Sequence, residues 1–110
     1  MDHYDAHINE DIILTLITKN HAGELVDQSS PYPTVEIYRM TGISAVLVLA
    51  STLMIEHVVG EYQYKWTSPE TVGEYKVKYT SLIDGIVFYS YDTITLTGLS
   101  DIDNYGGYGV

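Results

Sequence analysis

Two stretches with the same alternation constrain this chain most. From Gly60 the sequence reads G-E-Y-Q-Y-K-W, and from Gly73 it reads G-E-Y-K-V-K-Y. In the first, Tyr62, Tyr64 and Trp66 alternate with Glu61, Gln63 and Lys65; in the second, Tyr75, Val77 and Tyr79 alternate with Glu74, Lys76 and Lys78. A period of two gathers the rings on one face of a strand and the charges on the other, whereas a helix would scatter both around its axis. Each segment is expected as a β-strand, with Tyr62, Tyr64, Trp66, Tyr75 and Tyr79 as core aromatics. Thr67 to Val72, with Pro69, connects them: proline interrupts a ladder and small polar residues suit a turn.

The flanking sequence continues in the same manner. Asp84-Gly85 between two β-rich runs predicts a hairpin. Its second strand covers Ile86 to Thr97, where both faces are mixed and the pattern leaves open which one points inward. Upstream, Asp11 to Thr18 is apolar on both faces, with Ile12, Leu14 and Leu16 on one and Ile13 and Ile17 on the other. Such a strand is expected between the core and a neighbour. Asn20 to Gly23 turns the chain, and Glu24 to Gln28 reads as a short strand or edge piece. Pro31 and Pro33 hold Tyr32 in an extended connection. Thr34 to Tyr38 is a strand with Val35 and Ile37 inward. The stretch Ile43 to Val59 has two readings. Its Ala, Leu and Met content suits a helix. Its β-branched residues (Ile43, Val46, Val48, Thr52, Ile55, Val58, Val59) favour two short strands meeting near Ala50-Ser51-Thr52.

Strand after strand with no intervening helix predicts two antiparallel sheets packed face to face. One domain fits 110 residues, since domains run from about 50 to 250 residues. It is expected over residues 10–99. Residues 1–9 mix Asp, His and Tyr with no period, and residues 100–110 are rich in Gly and Tyr. Ends with so little to bury read as flexible arms. The sharper reading is an arm that orders on a neighbouring subunit, anchored by Tyr105 and Tyr108.

Charge and composition exclude several roles. Fifteen acidic against five basic residues give a net charge of −10, which argues against a nucleic-acid partner, because phosphate binding needs clustered Lys and Arg. The absence of cysteine excludes disulfides and thiolate metal sites. The acidic start lacks the basic flank of a secretory signal. The most apolar stretch, Ile43 to Val59, is interrupted by polar residues and is shorter than the ~20 apolar residues of a membrane helix. No membrane span is expected, and the protein is expected to work inside the cell that makes it or to leave without a cleavable signal, as by lysis.

Candidate chemistry is sparse. His3 and His7 stand four apart beside Asp2 and Asp5, but two histidines leave a metal short of ligands. His21 lies in a turn and His57 in an apolar run, neither with an evident nucleophile or carboxylate partner set by the sequence pattern. Asp101-Ile102-Asp103-Asn104-Tyr105-Gly106 starts like a calcium loop, yet Tyr105 replaces a ligand and no closing glutamate follows. Glu61 and Glu74, or Asp84 and Asp92, are conceivable catalytic carboxylates, but they alternate with outward-facing polar residues and read as solvated strand faces. No G-x-S-x-G, H-E-x-x-H or P-loop occurs. No catalytic, cofactor or metal residues are expected.

The order of segments D-I-I-L-T-L-I-T-K-N-H-A-G-E-L-V-D, P-T-V-E-I-Y, G-E-Y-Q-Y-K-W-T-S-P-E-T-V-G-E-Y-K-V-K-Y and D-G-I-V-F-Y-S-Y-D-T-I-T-L resembles small Ig-like β-sandwich domains of tailed-phage virion proteins and prokaryotic surface proteins. The likeness covers about Asp11 to Leu96. It implies an all-β, antiparallel sandwich of about seven strands in which Tyr62, Trp66 and Tyr75 are structural, and it implies no catalytic residues. Ala45 to Ile55 departs from the family, being more apolar than its usual polar hairpin, which suggests that another chain covers it.

The expected role is a non-enzymatic assembly protein of a bacteriophage virion, such as a capsid-decoration, head–tail or tail component in a homo- or hetero-oligomeric assembly. Tyr105, Tyr108, Val46, Leu47, Val48 and Leu49 are its candidate contacts, although alternation predicts that at least two of the last four are core. The rival is an extracellular adhesion or glycan-binding module with Tyr89 and Tyr91 as its platform.

Overall fold

The computed structural model describes residues 3–28 and 32–98. They contain eight strands: β1 (His3–His7), β2 (Asp11–Ile17), β3 (Thr34–Thr41), β4 (Ser44–Leu53), β5 (Ile55–Val58), β6 (Glu61–Thr67), β7 (Gly73–Ile83) and β8 (Ile86–Thr97). These form a five-stranded sheet in the order β1-β8-β7-β3-β4 and a three-stranded sheet in the order β2-β6-β5. Neighbours are antiparallel except β1, which runs parallel to β8. Among the described residues no helix is long and apolar enough to cross a membrane.

One apolar core joins the two sheets. The three-stranded sheet contributes Ile12, Leu14, Tyr62 and Trp66; the five-stranded sheet contributes Val35, Ile37, Tyr75, Val77, Tyr79, Ile94 and Leu96. The two G-E-Y strands therefore sit in different sheets with their ring-bearing faces turned to one core. Trp66 meets Tyr75 edge-on, with centroids 5.6 Å apart and planes at 61°, an arrangement aromatic quadrupoles favour. Tyr64 is half-buried and packs against the same core. The Tyr75 hydroxyl donates to the Thr71 carbonyl at 2.5 Å, so the connection carrying Pro69 is tied to the start of β7.

Two turns depend on particular backbone freedom. Asp84 and Gly85 have φ of 52° and 77°, the paired left-handed geometry of a tight two-residue hairpin that Asp-Gly favours. Gly60, at φ 73°, joins β5 to β6, and a Cβ there would lie 2.8 Å from Leu25 Cβ and 3.1 Å from the Thr18 carbonyl. The loop of residues 18–28 thus closes over this turn, held also by the Gly60 amide donating to Asp27 Oδ1 at 3.0 Å.

Several expectations are corrected. The described residues hold eight strands where about seven are expected, the additional one being β1, formed by residues expected in an N-terminal arm without period. The period is present: Tyr4, Ala6 and Ile8 pack against the core while His3, Asp5 and His7 face outward. It was masked by the polar half of the alternation. Glu24 to Gln28 forms no strand, only a single bridge between Lys19 and Leu25. Ile43 to Val59 does hold two strands, but they meet at Met54, and each belongs to a different sheet. Met54 is buried where the chain crosses. Residues 99–110, with Tyr105, Tyr108 and the calcium-like run from Asp101, lie outside the described residues, as do Asp2 and Pro31.

Candidate functional site

β4 is the end strand of the five-stranded sheet and, among the described residues, pairs with β3 alone. Ser44, Ala45, Val46 and Leu47 lie opposite Thr41, Met40, Arg39 and Tyr38 in regular register, and irregularities follow between Leu47 and Leu49 and between Leu49 and Thr52. Val46, Leu47 and Val48 are 45%, 52% and 38% exposed. Leu49, opposite Ile37, is half-buried against the core. The expectation that at least two of these four residues belong to the core is corrected. A five-stranded sheet faces a three-stranded one, so its outermost strand overhangs, and alternation then buries neither set of side chains. The result is an apolar, uncharged strand edge of the kind that soluble proteins usually guard.

A second apolar surface lies at the β7–β8 hairpin. β3 pairs with β7 only as far as Thr80, whereas the hairpin continues to Ile83 and Ile86. Ile86, Val87, Phe88 and Tyr89 are consequently all exposed. An open cleft of about 770 Å³ lies between this hairpin and the end of β2, with Leu16, Ile17, Ile86, Phe88, His21 and Asp84 in its lining. His21 Nδ1 is 2.6 Å from Asp84 Oδ2, and the Leu82 amide donates to Gln28 Oε1 at 2.7 Å, so loop 18–28 braces the hairpin. Sequence reasoning missed this cleft. The available signal was length: the runs flanking Asp84-Gly85 are longer than the neighbouring strand, so their ends must project.

Among the described residues, two of the remaining candidates, His3 and Glu74, come together at the Thr95 hydroxyl, which lies 3.1 Å from His3 Nε2 and 3.0 Å from Glu74 Oε1. His3 lies on the outer face of β1, with Nδ1 2.6 Å from Thr93 Oγ1 and Nε2 3.1 Å from Asp5 Oδ1. His7 Nδ1 donates to the Gly98 carbonyl at 2.9 Å. His57 is exposed on β5. Glu74 accepts from the Thr95 hydroxyl at 3.0 Å, and Glu61 is half-buried in the other sheet. Among the described residues no three His, Asp or Glu side chains gather closely enough to hold a metal ion. Asp92 corrects its expected place on a solvated face: it is 6% exposed, and the Tyr79 hydroxyl donates to its Oδ2 at 2.7 Å. β8 turns its Asp92-Ile94-Leu96 face inward, which its mixed pattern left open.

One acidic pair is under strain. A hydrogen bond from Glu56 to Asp27, then partial desolvation and the Asp27 charge, hold the Glu56 carboxyl above its ordinary pKa. Ionised Glu56 is therefore less favourable in the folded chain than in the unfolded one, and the stability this costs returns as the pH falls through its raised pKa. Glu56→Gln keeps a donor and removes the repulsion. It is expected to raise the melting temperature slightly at pH 7 and to give no gain at pH 4, as thermal melts at the two pH values will show.

Lys76 and Lys78 place their ammonium groups 4.5 Å from the ring centroids of Tyr91 and Tyr89, and Lys78 also reaches Glu36 at 3.9 Å. Compared with models of known protein families and with curated proteins, the chain matches none.

Proposed function

We propose that this chain is a non-enzymatic Ig-like module that acts through protein–protein contacts, as a structural component of a virion such as a capsid-decoration, head–tail or tail protein. Two features support the Ig-like reading. β2-β6-β5 opposite β8-β7-β3 has the order of an Ig sandwich, with β1 and β4 added at the edges of the larger sheet. The Tyr75 hydroxyl bonded to the backbone four residues upstream is similar to the tyrosine corner of such domains. The virion setting draws on the resemblance of the segments that include the two G-E-Y strands.

The observation that carries the assembly role is the exposed aliphatic edge of β4. A small domain rarely leaves contiguous apolar residues in water unless another molecule covers them. The glycan-binding alternative is less well supported, because lysine ammonium groups already lie over the Tyr89 and Tyr91 rings. Mass spectrometry of purified particles from the source is expected to find the chain at a fixed ratio to the major shell protein. A chain absent from particles that binds carbohydrate, with loss of binding in Tyr89→Ala, would establish the alternative.

A further inference from the structure

We infer that β4 pairs antiparallel with β4 of a second copy, joining two five-stranded sheets across a two-fold axis. This rests on the proposed assembly role and names the surface and partner through which it starts. The backbone edge of β4 away from β3 has no strand beside it among the described residues. Such an edge offers unpaired N–H and C=O groups to another strand.

Charge selects the occupant. From Met40 to Ile55 the chain carries no ionisable side chain, although the net charge is −10. Two identical acidic molecules repel over most of their surfaces, and a charge-free edge is where that repulsion is least. A cationic partner would be drawn to the acidic surfaces and gain nothing electrostatic here. The strand also carries no Lys or Pro, the usual guards against edge pairing. Its irregularities begin only beyond Leu47, which leaves Ser44–Leu47 regular enough to pair.

Symmetry fits the sequence. In an isologous contact, residue i meets j and j meets i. Ser44-Ala45-Val46-Leu47 run against itself sets small or aliphatic side chains against one another, with no charge on either copy. Side chains on both faces of the strand are exposed, so pairing would cover Leu47 on one face and Val46 on the other.

The absence of native cysteine gives a clean test. Sedimentation of the full chain is expected to show a species of twice 12.3 kDa. Leu47→Lys is expected to weaken dimerisation about tenfold per copy, and therefore about a hundredfold across the two-fold. Leu47 is exposed, so the variant should keep its circular dichroism spectrum and melting temperature; Leu47→Glu serves as a second variant of opposite charge. Val46→Cys or Leu47→Cys should give a disulfide-linked dimer under mild oxidation, while Val87→Cys on the hairpin should not.

An oligomer that persists unchanged in both Leu47 variants would overturn β4 pairing and leave the assembly role standing. A monomeric wild-type chain would also overturn it, and incorporation into particles would then judge the assembly role separately. Protection of β4 amides from hydrogen exchange only after a different protein is added would overturn the second copy as occupant.

Discussion

Replacing Trp66 with alanine will destabilise the fold by about 3–5 kcal/mol, the range for deleting a large buried aromatic side chain. Trp66 is 6% exposed, lies across from Ile12 on β2, and meets Tyr75 of the opposite sheet edge-on. Its loss removes burial from one sheet and an aromatic partner from the other, and the cavity cannot close without moving two hydrogen-bonded ladders. A domain of this kind holds about 5–15 kcal/mol in total, so the melting temperature should fall by about 15 °C or more. Urea unfolding followed by far-ultraviolet circular dichroism measures the effect. Trp66→Phe should retain much of the stability, because a ring still fills the site. A midpoint unchanged in Trp66→Ala would contradict a core shared by the two sheets.

That prediction was legible in the sequence, because strict alternation over Glu61–Trp66 and Glu74–Tyr79 admits only one side for the rings. The same logic placed Val35 and Ile37, whereas β2, apolar on both faces, left open which set points inward; it is Ile12 and Leu14. It failed where alternation loses its physical cause. On β4 there is no facing sheet to reward one side, so the alternation that predicts at least two core residues among Val46 to Leu49 fails, and Val46, Leu47 and Val48 are exposed. On β8 the first half projects and the second half is buried, and one strand with two environments cannot show one pattern. β1 was hidden because its inward set is only Tyr4, Ala6 and Ile8, too small a signal beside His3, Asp5 and His7. The cleft and the Glu56–Asp27 pair join residues far apart in the chain, and no local spacing announces such meetings.

Above pH 10 the stability of this protein is expected to fall by about 1.4 kcal/mol per pH unit for each tyrosine held protonated by the fold. Tyr79 is the strongest case. Burial first, then its hydrogen bond to Asp92 and the Asp92 charge, with Tyr4 adding to both effects, push its hydroxyl far above the ordinary value. The unfolded chain releases this proton near pH 10 and the folded chain does not. The stabilisation is therefore complete below pH 10 and is withdrawn as the pH rises, since deprotonation is open only to the unfolded state. Tyr62 and Tyr75 are raised chiefly by burial as well, although the Gln28 amide works against the shift at Tyr62 and the Arg39 charge against it at Tyr75. Tyr79→Phe should cost about 1–3 kcal/mol at pH 7, because the buried Asp92 carboxylate loses a donor. The same variant should also have a shallower alkaline limb, by one proton, than the wild type. Those two effects have opposite signs, so the curves of unfolding free energy against pH should converge as the pH climbs past 10. Parallel curves would show that the Tyr79 hydroxyl is not held protonated in the folded state. In that case Asp92 must draw its compensation from elsewhere in the fold.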